Sequence, residues 1–475
     1  MTALVGYGTY IPYWRLDGKT IRSALGTSGG KGTRAVAGFD EDSTTMGVEA
    51  ARDALRIAPE GLTPAALYFV TTSPPYLDKT NATAIHAALG LPQHAGAYDF
   101  GGSARSVGGV LRLAARSDEP ALVVMSDVRT GLPGSADEAT GGDGAACLVF
   151  GDPKDAIAEV LSSVSATDEF LDRWRAPGSD ASAVWEDRFG ESAYQPLGRA
   201  AFVDALKDAG IAADAIDHLI VTGLHARAVT SFAKWSGVRS EAIVNDLNPR
   251  IGNAGAAAPG IALSHVLDRA EPGAIIVTVA LADGADVSVL RATPLLGVVQ
   301  AKRKRTVAQQ IGGAHGELAY SAFLTWRGRL DREPPRRPNP PVPAAGPSLR
   351  GKSWKYALTA SRCESCTTRH LPATRVCVKC QAVDRMTEER VADEMAKVFT
   401  YTIDRLAFSP SPPLIAAMVD FDGGGRTGIE ITDAKPYDIA VGTRLEMTFR
   451  RLYTADNGVH NYFWKARPIR EGDLS

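Results

Sequence analysis

Gly141-Gly-Asp-Gly-Ala-Ala-Cys-Leu-Val-Phe150 is a glycine turn that runs straight into six apolar residues. A short, uninterrupted apolar run bounded by a turn reads as a strand buried on both faces. A similar apolar run further along is Ala274-Ile-Ile-Val-Thr-Val-Ala280. Outward from these, Ala65-Ala-Leu-Tyr-Phe-Val-Thr-Thr72 and Ala121-Leu-Val-Val-Met-Ser126 precede the first run, and His218-Leu-Ile-Val-Thr222 precedes the second. Helix-like segments such as Gly198 to Ala209 and Gly260 to Ala270 flank them. Strand runs alternating with helical patterns favour a layered α/β arrangement. The two halves of the first 295 residues read alike, so the body is expected to be a duplication. A stretch rich in Trp and acidic residues, 168–194, sits between the halves as an insertion.

The chain changes character at 331–349, where Asp-Arg-Glu-Pro-Pro-Arg-Arg-Pro-Asn-Pro-Pro-Val-Pro opens a proline-rich stretch. Such a composition favours extended backbone and reads as a semi-rigid linker. Beyond it, Cys363-Glu-Ser-Cys366 and Cys377-Val-Lys-Cys380 form two C-x-x-C knuckles. Each knuckle brings two sulfurs to the reach of one tetrahedral zinc. Four thiols leave no open position, so the expected ion is structural, and His370 between the knuckles is not needed as a ligand. After the knuckles, Val398-Phe-Thr-Tyr-Thr-Ile, Leu414-Ile-Ala-Ala-Met-Val-Asp-Phe and Arg444-Leu-Glu-Met-Thr-Phe-Arg-Arg alternate with period two between turns. They predict a five-stranded, OB-like barrel. The expected units are 1–165 and 166–330 for the two halves, 331–349 for the linker, 350–392 for a zinc ribbon and 393–475 for the barrel.

Composition narrows the function class. A net charge of −2 gives no global electrostatic case for nucleic acid, and no aromatic stack within a basic groove marks the barrel. No apolar run approaches the length that spans a bilayer. The opening Met-Thr-Ala-Leu-Val-Gly-Tyr-Gly shows no secretory signal, which implies a cytoplasmic protein and free thiols rather than disulfides. The basic run Lys302-Arg-Lys-Arg305 reads as solvated surface, with phosphate binding as the alternative.

The body resembles the thiolase superfamily, and within it hydroxymethylglutaryl-CoA synthase and ketoacyl synthase III. His225 follows a buried strand as the family's catalytic histidine does. Asn253, in Ile-Gly-Asn-Ala-Gly-Ala-Ala-Ala, comes 28 residues later. The turn at Gly141 is similar to the one that ends the family's first half. Ala282-Asp-Gly284-Ala-Asp is similar to a late glycine turn that lines the active site. The C-terminal part looks like the zinc-ribbon and OB-fold module that accompanies thiolase-like enzymes and aldolases. The resemblance implies acyl-CoA as substrate, a layered α-β-α-β-α body, a homodimer pairing near Ala97 to Phe100, and a partner thiolase as a further option.

The resemblance breaks at the nucleophile. In the relatives a strand ending in aspartate is followed five residues later by a reactive cysteine. Here Asp99 ends the strand and Ala104 stands at that place. Ser106 would need a two-residue insertion and, on a helix, would point about 200° away. Ser103 is expected to face elsewhere for the same reason, and Cys147 to pack in the core. The family's acidic residue near Thr71-Thr-Ser-Pro-Pro-Tyr is also missing, which leaves Tyr76 and Asp78 as nearby polar candidates.

What the resemblance retains is enolate stabilisation by His225 and Asn253, with covalent acyl storage lost. The implied activity is aldol or retro-aldol chemistry on a CoA thioester. Two alternatives stand beside it. One is a synthase or acyltransferase in which Ser106 or Ser103 replaces cysteine, and the other is a non-catalytic acyl-CoA-binding scaffold. Taken singly, His225 reads rather as a satisfied histidine at a strand end and Asn253 as a turn former, whereas the pair at the family's spacing reads as an active site.

Overall fold

Residues 2–26, 31–313, 315–336 and 338–469 are described by the computed structural model. Met1, Arg337 of the expected linker and the last six residues of the expected barrel segment lie outside them.

The first half contributes five strands to the main sheet: β1 (Ala3–Tyr10), β2 (Ala66–Val70), β3 (Gly96–Phe100), β4 (Ala121–Asp127) and β5 (Gly144–Gly151). The second contributes β6 (Ala158–Ala166), β7 (His218–Gly223), β8 (Ile243–Val244), β9 (Ile275–Leu281) and β10 (Ala285–Ala292). Their order is β8-β7-β9-β10-β6-β1-β5-β4-β2-β3. Counted from the outer edge inward, each half runs in the same order: third, second, fourth, fifth, first. The senses also agree, with the second strand parallel to the third and fourth, and the fifth antiparallel to its neighbours. The halves join where Leu4 pairs with Ala158. The expected duplication is therefore present strand by strand.

Helices fill the layers around and between the halves. Helix α1 (Ser43–Leu55) covers β1, β4 and β5 from outside. Helices α2 (Ser106–Arg116) and α5 (Ala258–Leu267) occupy the central layer, where Gly260 lies so close to Met125 and Ala146 that a Cβ would sit 2.5 Å from the methionine methyl. Helices α3 (Asp187–Ala209) and α4 (Ala226–Trp235) cover the second half. The glycine turn that leads into β5 is pressed against the Gly252-Asn253 segment. The Gly142 N–H donates to the Asn253 carbonyl at 2.9 Å, and a Cβ on Gly142 would lie 1.9 Å from the Ile251 carbonyl oxygen. Only glycine allows that approach.

Asp143 inside the turn is fully buried. It accepts the backbone N–H of Ala37 (2.7 Å) and Arg129 (2.8 Å) and pairs with the Arg34 and Arg327 guanidinium groups.

The expected insertion is partly regular. It forms a small hairpin, Arg173–Trp174 with Ala183–Val184, and then the opening turns of α3, which begins at Asp187 rather than near Gly198. The end of the expected linker is a short helix, Ala345–Arg350. The knuckles lie beside a three-stranded sheet of β11 (Thr359–Cys363), β12 (Arg369–His370) and β13 (Met386–Arg390). The closed barrel follows, with β14 (Ala396–Asp404), β15 (Leu414–Phe421), β16 (Arg426–Ile431), β17 (Arg444–Thr454) and β18 (His460–Pro468).

The barrel shares a core with the body. Met46, Val48 and Ala51 of α1 belong to the same apolar cluster as Leu445, Phe449 and Trp464. Strand β17 is buried on both sides, Leu445, Met447 and Phe449 alternating with Glu446, Thr448 and Arg450. The polar set meets body residues: Arg450 pairs with Glu41, and the Phe449 N–H donates to Glu49 at 3.1 Å. The basic run 302–305 is likewise internal in part. Arg303 is buried against Asp53 (3.0 Å) and Asp268 (2.6 Å), and Arg305 bridges to Glu446 at 2.6 Å. That overturns its reading as solvated surface, because two of its charges are held by buried carboxylates.

Candidate functional site

A cavity of about 930 Å³ opens between the two halves, the insertion and the barrel. Its wall includes Ser103 and Ala104 from the loop between β3 and α2, and Thr72, Ser73 and Pro74 after β2. Asp172, Arg173 and Tyr194 come from the insertion, Ala282 and Asp283 from the turn after β9, and Arg451 from the barrel. No cysteine is among the lining residues. Cys147 is fully buried in β5, and burial pushes its thiol well above the ordinary range.

The loop that carries Ala104 is short because Asp99, at the end of β3, is tied down. Its carboxylate accepts from the Asn81 and Ala82 N–H groups, both at 2.7 Å. Ala104 follows at the cavity wall, and α2 starts two residues later. Ser106 is inside that helix, its hydroxyl donating to the Gly101 carbonyl at 3.2 Å, and is not part of the wall. Ser103, expected to face elsewhere, does line the cavity. Its position before the helix frees it from helical geometry, and its hydroxyl donates to the Asp283 carboxylate.

His225 caps α4. Its Nδ1 accepts the Ala228 N–H at 3.1 Å. A nitrogen that accepts carries no proton, so the neutral ring holds its proton on Nε2. The neighbours of His225 define the cavity on this side: Leu224 and Asp172 line it, and Tyr194, also a lining residue, has its ring centre 6.2 Å from the imidazole. A Cβ built on Gly190 of α3 would lie 2.3 Å from Asp172 Oδ1 and 2.6 Å from His225 Cδ2. The carboxylate and the imidazole therefore pack on the same bare stretch of α3, with Asp172 Oδ1 and His225 Cδ2 no more than about 5 Å apart.

Asn253 is placed differently. Its amide donates to the Gly223 carbonyl at 2.8 Å and accepts from the Gly255 N–H at 3.0 Å, which pins two loops together. It lines a second cavity of about 570 Å³, largely apolar, bordered by α4, α5 and the Asn245–Pro249 region. Leu224 borders both cavities. Ala104 and Asn253 thus open on two adjacent spaces that meet at Leu224, the residue before His225.

The remaining sequence candidates do not reach the large cavity. Tyr76 packs against the barrel, its hydroxyl accepting the His460 N–H at 2.7 Å and its ring centre 4.6 Å from that imidazole. Asp78 is exposed on its loop. Gly284 stands behind the wall with φ +134°, its missing Cβ making room for the Arg105 guanidinium. Its turn-mates Ala282 and Asp283 hold the lining positions.

Two features escaped the sequence. Asp172 is 4 % exposed, and its Oδ1 has no hydrogen-bond partner. Burial raises its carboxyl above the usual carboxylate range, against the opposing pull of His225. Its only signal is the acidic character of the insertion. Arg451 sits where the barrel meets the cavity, 3.7 Å from Asp42. In the sequence it is only the last residue of the alternating run that starts at Arg444.

The knuckle thiols converge as the spacing predicts. All four sulfurs lie within 4.8 Å of one another, with Cys363 to Cys380 at 3.6 Å and Cys366 to Cys377 at 3.5 Å. Tetrahedral zinc with bonds near 2.3 Å places sulfurs about 3.8 Å apart, so the donor set fits it. Each knuckle is closed by a residue with positive φ just after its second cysteine, Thr367 (61°) and Gln381 (59°).

Comparison with known proteins agrees with this architecture. Residues 206–290 match the 3-oxoacyl-[acyl-carrier-protein (ACP)] synthase III C-terminal family, and residues 389–450 match the C-terminal OB-fold domain of ChsH2. Hydroxymethylglutaryl-CoA synthase of Pyrococcus furiosus is 30% identical over 293 residues, 59% of this chain and 83% of the relative. The Methanothermobacter thermautotrophicus enzyme of the same name is 31% identical over 301 residues, 60% of this chain and 86% of the relative. Among solved structures, 3-oxoacyl-(acyl carrier protein) synthase III, FabH, from Pseudomonas aeruginosa PAO1 superposes with a TM-score of 0.55 at 22% identity, covering 62% of this chain and 98% of that one. A variant of Xanthomonas campestris OleA with bound lauric acid and lauroyl-CoA gives 0.54 at 20% identity, over 62% and 98%. These two structures share the fold.

Proposed function

Since the chain belongs to the hydroxymethylglutaryl-CoA synthase family of thiolase-like enzymes, we propose that it makes or breaks a carbon–carbon bond beside an acyl-CoA carbonyl without storing the acyl group on the protein. The observation that carries this reading is Ala104 on the wall of a cysteine-free cavity, which Leu224 and Asp172, the neighbours of a histidine whose Nδ1 is already engaged, also line. With the proton on Nε2, His225 offers a donor to the oxygen of a thioester enolate, and such a donor contributes about 2.7–4 kcal/mol to the transition state. Asn253 holds the Gly223 loop that precedes the histidine and has a second amide N–H to offer on the far side of Leu224. Aldol or retro-aldol chemistry needs this stabilisation and no acyl-enzyme.

The four knuckle thiols hold a structural zinc in this reading, and the protein works as a cytoplasmic homodimer. The edge strand β3 would pair with its copy, since Tyr98 on it is 55 % exposed and stacks on Tyr68. Tyr98→Glu should then yield monomers by sedimentation.

A second reading has one observation in its favour. Ser103 lines the cavity and its hydroxyl donates to Asp283, an arrangement compatible with a serine nucleophile. Intact-mass analysis after incubation with a panel of acyl-CoAs separates the two. The aldol reading expects no adduct and a loss of about 10²–10³-fold in rate for His225→Ala. An adduct on Ser103 that forms and decays at the turnover rate would replace it with the acyltransferase reading.

A further inference from the structure

The insertion adds a further carboxyl, Asp172, to the wall of the large cavity. Asp172 precedes the first strand of the small hairpin, and its Oδ1 is buried without a hydrogen-bond partner. Four groups face it from the elements packed around it: His225 on α4, Tyr194 on α3, Asp283 in the turn after β9, and Arg173 beside it. Arg173 is engaged elsewhere, in a two-pronged pair with Asp137 at 2.7 and 2.8 Å. The Tyr194 hydroxyl accepts the Asp283 N–H at 3.3 Å and lies against the Asp172 carboxyl. Tyr194 hydrogen-bonds this carboxyl, yet Oδ1 is left without a partner, and desolvating such an oxygen is costly, so it is open to a polar group of a molecule in the cavity.

We propose that Asp172 is a catalytic residue, the general acid and base that passes the proton between the β-oxygen and the α-carbon of the reacting pair. The proposal rests on the aldol-type reading above. In the cleavage direction the Asp172 carboxylate takes the proton of the substrate β-hydroxyl. The O–H electrons form the carbonyl as the Cα–Cβ bond breaks, and the released pair becomes the thioester enolate, its oxygen held by His225 Nε2–H. The carboxylic acid then returns the proton to Cα. No oxidant, reductant or co-reactant is needed, and the condensation is the same sequence reversed. Burial serves this task, because a carboxyl lifted above its usual range both takes and returns a proton closer to neutral pH. The carboxyl shares the cavity wall with Ser73, on the loop after β2.

The test uses the full-length protein with short acyl-CoAs, propionyl-CoA first, in D2O. Incorporation of deuterium at the α-carbon reports proton abstraction alone, independent of any second substrate. Wild type should exchange, and Asp172→Asn should lower the rate by about 10²–10⁴-fold, the range for losing a general base. Propionyl-CoA affinity should change by less than about twofold, which also reports that the isosteric variant is folded. Asp172→Ala should regain exchange with added formate, a rescue that a purely structural aspartate would not show. His225→Ala should be slow too, yet indifferent to formate. In wild type the exchange rate should rise with pH as the Asp172 carboxyl ionises, and that limb should vanish in Asp172→Asn. If wild type exchanges and Asp172→Asn matches it, Asp172 has no such role while the aldol reading stands. If wild type exchanges no acyl-CoA in the panel, both are overturned.

Discussion

Arg467, on the last strand of the barrel, meets Glu49, on the first long helix of the body, across 3.2 Å with both side chains 5 % exposed. Glu49 also holds Arg52 at 2.9 Å, and Arg52 donates to the Ala392 and Met447 carbonyls at 2.6 and 2.8 Å. Barrel and body are therefore joined by charges that water does not reach. Removing one partner of such a pair strands the other and costs about 3–5 kcal/mol. Arg467→Met should lower the urea midpoint of the whole protein correspondingly, and replacing Glu49 with an apolar residue as well should lower it further, because Arg52 then loses a buried partner. An unchanged midpoint in the single variant would show that the interface is hydrated.

The knuckles predict one metal per chain. Metal analysis should return about one zinc, and Cys363→Ser should release it. Limited proteolysis should then cut the 359–390 sheet first, with the barrel following only where it has lost its neighbour. A ribbon that stays protease-resistant after complete metal removal would mean that the thiols are not a structural site.

Glu389 gives a pH dependence with a definite sign. Hydrogen bonds from Arg369 and then Arg362 hold its carboxyl down at about 2, below the ordinary value of 4.5. The folded state thus binds this proton less readily than the unfolded chain does. Its stabilising contribution is fully present above the unfolded value and is lost as the pH falls towards the folded one. Between about pH 4.5 and 2, wild type should lose stability more steeply than Glu389→Gln, measured by denaturant titration of each at stepped pH. Parallel curves would refute the clamp.

Gly190 offers a test that removes no functional group. A methyl there meets Asp172 Oδ1 and His225 Cδ2 at once. Gly190→Ala gains about 1 kcal/mol in helix propensity, which offsets part of the cost of shifting the two side chains. Turnover should nonetheless fall by at least about tenfold, because displacement of a reacting group by 1 Å already costs on the order of 10²-fold. Full activity in a stably folded Gly190→Ala would show that the two side chains need not share that space.

Much of the architecture is legible because it is written in local patterns. The apolar runs around Val123, Leu148 and Val277 are strands buried on both faces, and the C-x-x-C spacing needs no tertiary information. Strand β17 shows where such reading stops. Its alternation predicts Leu445, Met447 and Phe449 inside, but Glu446 and Arg450 are just as buried, because the other face docks on the body. Period two says which residues share a face and nothing about what covers the second one. The same limit hides the burial of Arg303. Ser103 defies its expected direction because helical geometry does not extend to a residue that precedes the helix. Asp172 lies in a stretch without periodicity, and the groups that face its carboxyl, His225 and Asp283, are both distant in sequence. Tyr76 is a packing contact to His460, a role that only the folded barrel reveals.

The wall of the large cavity has a consequence for how the protein responds to what it binds. Arg451 belongs to the barrel, whereas Asp172, Ala104 and Leu224 belong to the body. A molecule that fills the space and touches both sides is a third party to their attachment. By mass action its affinity and the barrel's grip on the body must rise or fall together, by about 2.7 kcal/mol when the ligand stands at a hundred times its dissociation constant. Occupancy of the cavity is then readable from outside it, as slower hydrogen exchange in β17 and β18, at the opposite end of the chain from β1.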